Sequence, residues 1–351
     1  MTALLTSPTD SKMKNMRRLL YAILIFVALL ATAYFYFFKS NVSDDLANEY
    51  IKIPTGTNFE NLLSQLNTEG VILDESNFRQ WASWLGFESV RSGRFKIKKG
   101  WSSYNLIKHL QRGEQAPVKV VLNNERTPNQ VASKIAKVLE TDSASFAHAF
   151  ADETLLAEIG IPKAQLMCLF LPNTYELFWN TEPKKFLERM AKEYKRFWNT
   201  ERLAKAQTQG LSPEQVITMA AIVDGESSVK SEQPKVAAAY LNRLKQNMKL
   251  QADPTVQYAL MEIEKTPSFR RLLNKDYLVP HPYNTYMNEG LPPGPICMPS
   301  PSSIEAVLNP EQHDYIYFVA KPDNSGLHNY AVTYEQHLVN VRIYQDWLNK
   351  R

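Results

Sequence analysis

Hydrophobic and polar positions follow three rhythms along this chain. Leu19 to Phe38 is a run of 20 residues without a charge, long enough to cross a bilayer as one helix. From there to about residue 116 apolar residues come in short groups punctuated by glycine. Ile53-Pro-Thr-Gly56 leads into Leu62, Leu63 and Leu66 and closes at Gly70. Ile97-Lys-Lys-Gly100 leads into Leu106, Ile107 and Leu110 and closes at Gly113. Each copy of this weak repeat predicts a strand, a glycine turn, a polar helix start and a glycine stop. Phe78–Leu85, with Trp81 and Trp84, predicts a further helix between the copies.

The remainder mixes both periods. Val118–Leu122 alternates like a strand. Asn129–Leu139, a segment opening at Ser143 or Ser145, and Glu182–Trp198 predict helices. Leu166–Trp179 (LMCLFLPNTYELFW) predicts a buried strand-turn-strand, in which Phe170, Tyr175, Phe178 and Trp179 could alternatively stack on sugar faces. Residues 280–301 hold seven prolines in 22 positions. That stretch excludes regular helix and central strand and predicts a rigid loop carrying Tyr283, Asn284, Thr285 and Tyr286. Ser302–Leu308 predicts a short helix, Tyr315–Ala320 a buried strand, Gly326–His328 a turn, and Thr333–Leu348 a closing helix. The fold class expected is α+β.

One stretch, Ser212 to Val256, has chemical content. Ser212 suits an N-cap, Pro213 the first helical position, and Gln215 completes a capping box. Val216, Met219, Ala220 and Val223 follow at i, i+3, i+4 and i+7, one apolar helix face. Glu226 lies three residues past Val223. If the helix runs through Gly225, Glu226 continues that face, loses solvation and gains a raised pKa, which a general acid near neutral pH requires. If Gly225 ends the helix, Glu226 is an ordinary solvated carboxylate. A second helix follows from Ser231 or Pro234 to about Gln246, with Val236, Tyr240 and Leu244 inward. Gln251–Val256 then predicts a polar turn, in which Asp253 is a capping residue or a functional carboxylate.

The totals narrow the classes. The 351 residues leave room for two or three domains, and a net charge of +4 makes no case for nucleic acid. Cys168 and Cys297 cannot form a disulfide framework, and neither CxxC nor HExxH is present, so no metal or cofactor is expected. His109, His148, His281, His313, His328 and His337 are scattered and read as structural or surface residues. Ser227 and Ser228 lack a Gx[ST]xG setting, which disfavours a serine hydrolase. Lys12, Lys14, Arg17 and Arg18 precede the apolar run. They place residues 1–18 in the cytoplasm and the rest outside. Bulky Tyr34–Phe38 offers no cleavage site, so 19–38 reads as an uncleaved anchor. Residues 39–48 read as a linker, 49–116 as a small α+β module and 117–351 as a larger mixed domain. The small module is similar in its elements to LysM modules, and reads equally as a glycan binder or a spacer.

The motifs in order are FLPNTYE (170–176), AAIVDGES (220–227), VAAAYLNRL (236–244), LQADPTV (250–256), YNTYMNEGLPPGPI (283–296), SIEAVLNP (303–310), YIYFVA (315–320) and LHNY (327–330). With the anchor and the small module, this series resembles the YceG-like (MltG) endolytic murein transglycosylases. The resemblance covers nearly the whole chain from residue 45. It implies one essential glutamate, in a motif of the form A-S-I-V-E-K-E, whose second glutamate falls on Glu226. The motif's first glutamate is Asp224 here and its lysine Gly225; Met167-Cys168 and Asn173 also depart from the family pattern. It implies cleavage between N-acetylmuramic acid and N-acetylglucosamine with a 1,6-anhydro product, within nascent peptidoglycan strands beside the synthases at the inner membrane. Asp253, Tyr283, Asn284 and Tyr286 are then the substrate-side candidates, with Gln251, His328 and Tyr175 behind them. A tethered, catalytically silent glycan-binding protein is the competing class.

Overall fold

The computed structural model describes residues 8–265 and 271–350. The chain divides into two compact units, Met1–Pro117 with Phe178–Asn180, and Val118–Leu177 with Thr181–Arg351.

The first unit opens with α1 (Pro8–Phe38), followed by β1 (Tyr50–Ile53), α2 (Phe59–Thr68), α3 (Glu75–Trp84), β2 (Gly93–Lys96) and α4 (Ser103–Arg112). Within α1, Lys12–Phe38 is long and apolar enough to cross a membrane, and its most apolar stretch is not buried in the protein. The two halves of the sequence repeat meet as an antiparallel pair, Ile51 opposite Phe95 and Ile53 opposite Gly93. The side chains of Asn58, Asp74 and Ser102 cap α2, α3 and α4, each cap worth about 1 kcal/mol. Gly113 ends α4 in the left-handed region. Ile51, Ile53, Leu62, Leu66, Phe78, Phe95 and Leu106 form the core. Burial of each larger side chain there contributes about 2–3 kcal/mol.

Residues 39–48, expected as a linker, are built into this unit. Val42 is fully buried and bridges to Ile72. Asn41 donates to Ser103 Oγ at 2.7 Å, and Ser103 in turn donates to Asn77 Oδ1 at 2.7 Å. Val42 and Leu46 stand among polar residues in too short a run to show a period, and the buried hydrogen-bond chain that draws Asn41 inward is tertiary.

The second unit comprises β3 (Val118–Leu122), α5 (Pro128–Ala136), α6 (Ser143–Ala151), α7 (Glu153–Ile159), β4 (Asn173–Leu177), α8 (Pro183–Phe197), α9 (Thr200–Thr208), α10 (Pro213–Glu226), α11 (Gln233–Lys245), α12 (Asp253–Glu264), α13 (Pro301–Leu308), β5 (Tyr317–Ala320), β6 (His328–Ala331) and α14 (Tyr334–Asn349). β3 pairs antiparallel with β4, and β5 with β6. The first half of the expected strand-turn-strand is instead a 3₁₀ segment, Lys163–Leu169. Only its second half is a strand. The polar turn expected at Gln251–Val256 is the start of α12, because Pro254 occupies the first helical turn rather than breaking the chain.

α10 is the centre of this unit. Its start is as the sequence predicts: Ser212 Oγ accepts from the Gln215 amide, and Gln215 Oε1 accepts from the Ser212 amide at 2.8 Å. Its burial is broader than one face. Every residue from Val216 to Val223 is buried, as befits a helix surrounded by others; α9, α11, α12 and α13 pack around it.

Candidate active site

α10 continues through Gly225 and ends on Glu226, with Ser227 in extended conformation as its C-cap. Glu226 is therefore carried on a rigid, buried rod and presented where that rod stops. Its Oε1 accepts a 2.7 Å hydrogen bond from the Tyr240 hydroxyl on α11. Among the described residues, Oε2 accepts none. Glu226 is half-buried. That burial pushes its pKa up to about 7, the charge of Asp253 adding to the rise and Tyr240 and Arg243 opposing it.

Tyr240 is itself locked. It is buried, its ring meets Phe318 of β5 edge-on at 5.5 Å, and the Arg243 guanidinium lies 6.0 Å from its centroid. Burial drives the phenol pKa well above its ordinary value, so the hydroxyl remains a donor. Arg243 is buried too, and donates to the carbonyls of Ile316 and Leu250. Tyr240→Phe removes the bond that favours the charged form of Glu226. The alkaline limb of any activity that needs protonated Glu226 is expected to move up by roughly one pH unit. A pH–rate profile of the variant checks this, and an unmoved limb would refute the role given to Tyr240.

Asp253 comes from the first turn of α12. It caps nothing: Ala252 is the N-cap. Its Oδ1 accepts from the Tyr286 hydroxyl at 2.6 Å and its Oδ2 lies 3.4 Å from the Tyr277 hydroxyl. Those two rings pack on each other, 4.5 Å between centroids. Asp253 is exposed and close enough to Glu226 to raise its pKa. Gly225 makes the approach of the two helices possible. A Cβ there would lie 2.8 Å from Pro254 Cβ and 2.9 Å from its Cγ.

The proline-rich loop is tied to α12. Thr285 Oγ1 accepts from the Ala252 amide at 3.0 Å and lies 2.8 Å from Thr255 Oγ1. Asn284 is fully buried; its Nδ2 donates to the Tyr277 and Val279 carbonyls and its Oδ1 accepts from the Tyr286 amide. Asn284 braces the loop that presents Tyr286 and has nothing left for a sugar, which corrects its expected substrate-side role. Tyr283 packs on Tyr258 at 4.7 Å. Beside it, a Cβ on Gly294 would meet the Ala164 carbonyl oxygen at 2.1 Å.

Tyr175 is also corrected. It is buried on β4 and its hydroxyl donates to the Leu171 carbonyl at 2.6 Å. Phe170 and Trp179 of the same stretch are buried as well, whereas Phe178 is 54% exposed. Gln251 is exposed with φ +49°, and its amide donates to the Thr285 carbonyl. His328 faces Glu232: its amide donates to Oε1 at 2.6 Å and its Nδ1 lies 2.9 Å from Oε2. Glu232 is buried, which alone would raise its pKa, yet the His328 bonds hold it below the ordinary value. It also accepts from Ser227 Oγ at 3.0 Å. His328 and Glu232 thus fix the chain immediately after Glu226. Asp224, where the resemblance puts a glutamate, accepts from Ser300 Oγ at 2.5 Å, and ties α10 to the start of α13.

Of the residues singled out in the sequence, the structure brings Glu226, Asp253 and Tyr286 together, and it adds Tyr240, Tyr277, Arg243 and Glu232, which were not candidates. A tyrosine and an arginine within the small-residue helix VAAAYLNRL were the available signal.

Comparison with known proteins bears on this arrangement. The pattern defining the YceG-like family matches residues 51–343. A Bacillus subtilis protein named endolytic murein transglycosylase is 29% identical over 287 residues, 77% of this chain and 78% of that protein. A Streptococcus pneumoniae protein of the same name is 26% identical over 361 aligned residues, 93% of this chain; the chain spans 65% of that relative's length. A solved structure of a yceG-like protein from Listeria monocytogenes has a TM-score of 0.54 at 27% identity, and the match covers 83% of this chain and 98% of that one.

Proposed function

The chain belongs to the YceG-like family, and from that premise we propose that it is an endolytic lytic transglycosylase of peptidoglycan with Glu226 as its single acid and base. The observation that carries the reading is a carboxyl at the end of the buried helix α10, one oxygen held by Tyr240 and the other without a donor among the described residues, with burial pushing its pKa up to about 7.

A hydrolytic glycosidase needs two carboxyl groups, one as acid and one as base or nucleophile. Here the second carboxylate, Asp253, is held by two tyrosines and suits charge stabilisation. Glu226 Oε2 gives its proton to the oxygen bridging N-acetylmuramic acid and N-acetylglucosamine as that bond breaks. Positive charge develops on the muramic C1 and ring oxygen, and Asp253 favours it electrostatically. Glu226, now a carboxylate, takes the proton of the muramic C6 hydroxyl as that oxygen closes on C1. The product has a 1,6-anhydro end and no water is consumed. The attacking oxygen is already part of the substrate, so no second reactant has to be captured.

α1 serves as a membrane anchor with residues 1–18 in the cytoplasm and the site on the outer side. Cutting then falls on nascent strands beside the synthases and limits strand length. Residues 49–116 form a LysM-like module and residues from 117 onward the catalytic domain.

Incubating the full chain in detergent with uncrosslinked glycan polymer, with mass spectrometry of the products, tests this. Internal fragments lighter by one water, with anhydromuramyl ends, are expected. Reducing ends would mean a hydrolase. Intact polymer that co-sediments with the protein would mean a binding protein.

A further inference from the structure

The first unit carries a second concavity, a cleft of about 900 Å³ whose lining includes Lys96, Lys98, Trp101, Tyr104, Lys108 and Arg112. Local periodicity makes it. Phe95 and Ile97 are buried, so Lys96 and Lys98, alternating with them, point outward. On α4, Leu106, Ile107 and Leu110 face the core, leaving Tyr104, Lys108 and Arg112 at i, i+4 and i+8 on one outer stripe. Both elements turn their cations to one hollow. Lys98 Nζ lies 6.0 Å from the Trp101 centroid, and Trp101 meets His109 edge-on at 5.2 Å. His109, which also lines the cleft, has a buried Nε2 without a partner among the described residues.

Little offsets this charge. Lys96 pairs with Glu49 at 3.4 Å, and Glu114, which also lines the cleft, lies 4.0 Å from His109 Nδ1. Among the described residues no carboxylate is within ion-pair reach of Lys98, Lys108 or Arg112. Four cations around one hollow suit an anion.

The position of the cleft narrows the anion. Tyr104 packs on Phe38, the last residue of α1, at 5.7 Å. Trp81 Nε1 donates to the Phe37 carbonyl at 2.7 Å, and Phe37 packs on Trp84 at 4.9 Å. An aromatic collar at the end of an apolar helix marks the membrane–water interface. The cleft therefore opens beside the headgroup layer. We propose that it binds a phosphate-bearing lipid headgroup, either an anionic phospholipid or a polyprenyl diphosphate, and so fixes the first unit against the membrane surface. This rests on the anchor reading of α1 and is independent of the glycan chemistry at Glu226.

The test uses the full chain in nanodiscs of phosphatidylcholine, alone or with phosphatidylglycerol or undecaprenyl diphosphate, and counts lipids retained on release by native mass spectrometry. The wild type is expected to retain a phosphate-rich lipid over phosphatidylcholine. The Lys98→Gln/Lys108→Gln variant is expected to enter discs equally and retain about tenfold less. Whichever lipid depends on the two lysines identifies the source. Equal retention of all lipids, or retention unchanged in the variant, overturns the proposal. Displacement by millimolar inorganic phosphate or by soluble glycan fragments overturns the lipid assignment. A chain that fails to enter phosphatidylcholine discs tells against the anchor, and the same lipids offered in detergent micelles still test the cleft.

Discussion

Replacing Glu226 with glutamine is expected to lower the release of anhydromuramyl ends by about a thousandfold or more, with the fold intact. Glutamine matches the shape of the side chain and can still accept from Tyr240, but it has no proton to give. Positioned acid–base groups account for about 10²–10⁴ in rate, and here one group performs both steps. The wild type is expected to lose activity as pH rises through about 7, where Glu226 loses its proton. Stability provides an independent reading of the same group. The folded pKa lies above the ordinary carboxyl value of 4.5, so the folded chain holds that proton more tightly than the unfolded one. The stabilisation is complete below about 4.5 and is lost as pH rises through about 7. At pH 8 the buried charge costs about 1–3 kcal/mol, discounted for the open surface of the carboxyl. Glu226→Gln should therefore melt higher than wild type at pH 8 and equally at pH 4.5. A variant that keeps wild-type turnover would remove Glu226 from the chemistry.

Gly225→Ala is the second substitution with a large expected effect, about a hundredfold loss of turnover. The added Cβ would lie 2.8 Å from Pro254 Cβ, and the proline ring cannot rotate aside. The start of α12 must retreat, and Asp253 with it. Displacements near 1 Å at a reacting centre cost about 10² in rate; the overpacking costs about 1–3 kcal/mol of stability. Because Asp253 helps raise the Glu226 pKa, its retreat should also move the alkaline limb to lower pH. Loss of turnover without that movement would indicate simple destabilisation. Full turnover would mean that the approach of the two helices does not matter. Gly225 thus has a local reason in this chain: the space a Cβ would need is taken by Pro254.

The small module was legible because its signals are local. A strand, a glycine turn, a polar cap and a glycine stop are each decided within about ten residues, and both copies fold as they read. The capping box of α10 was legible for the same reason. Asn284 and Tyr175 show where legibility ends. Both sit in motifs that look substrate-facing, and both turn their polar atoms inward, to Tyr277 and Val279 in one case and Leu171 in the other. Nothing in residue type or spacing distinguishes a tyrosine that meets a sugar from one that meets a carbonyl. Residues 39–48 and the start of α12 fail similarly, since polar composition predicts exposure and a proline predicts a break unless tertiary partners are known.

By itself the sequence determined that an apolar helix precedes a glycine-punctuated module and a larger α+β unit, and that one glutamate stands three residues past the apolar face of a well-capped helix, with Gly225 between them as a possible stop. Those are properties of helical period, capping and solvation, which depend on near neighbours along the chain. Only the tertiary structure decided what that glutamate is. The Tyr240 bond and the opposing Arg243 come from α11, the Asp253 charge from α12, and the clasp behind Ser227 joins Glu232 to His328 of β6, 96 residues on. A pKa is set by the field of everything that surrounds the group, and that surrounding exists only once the helices have packed.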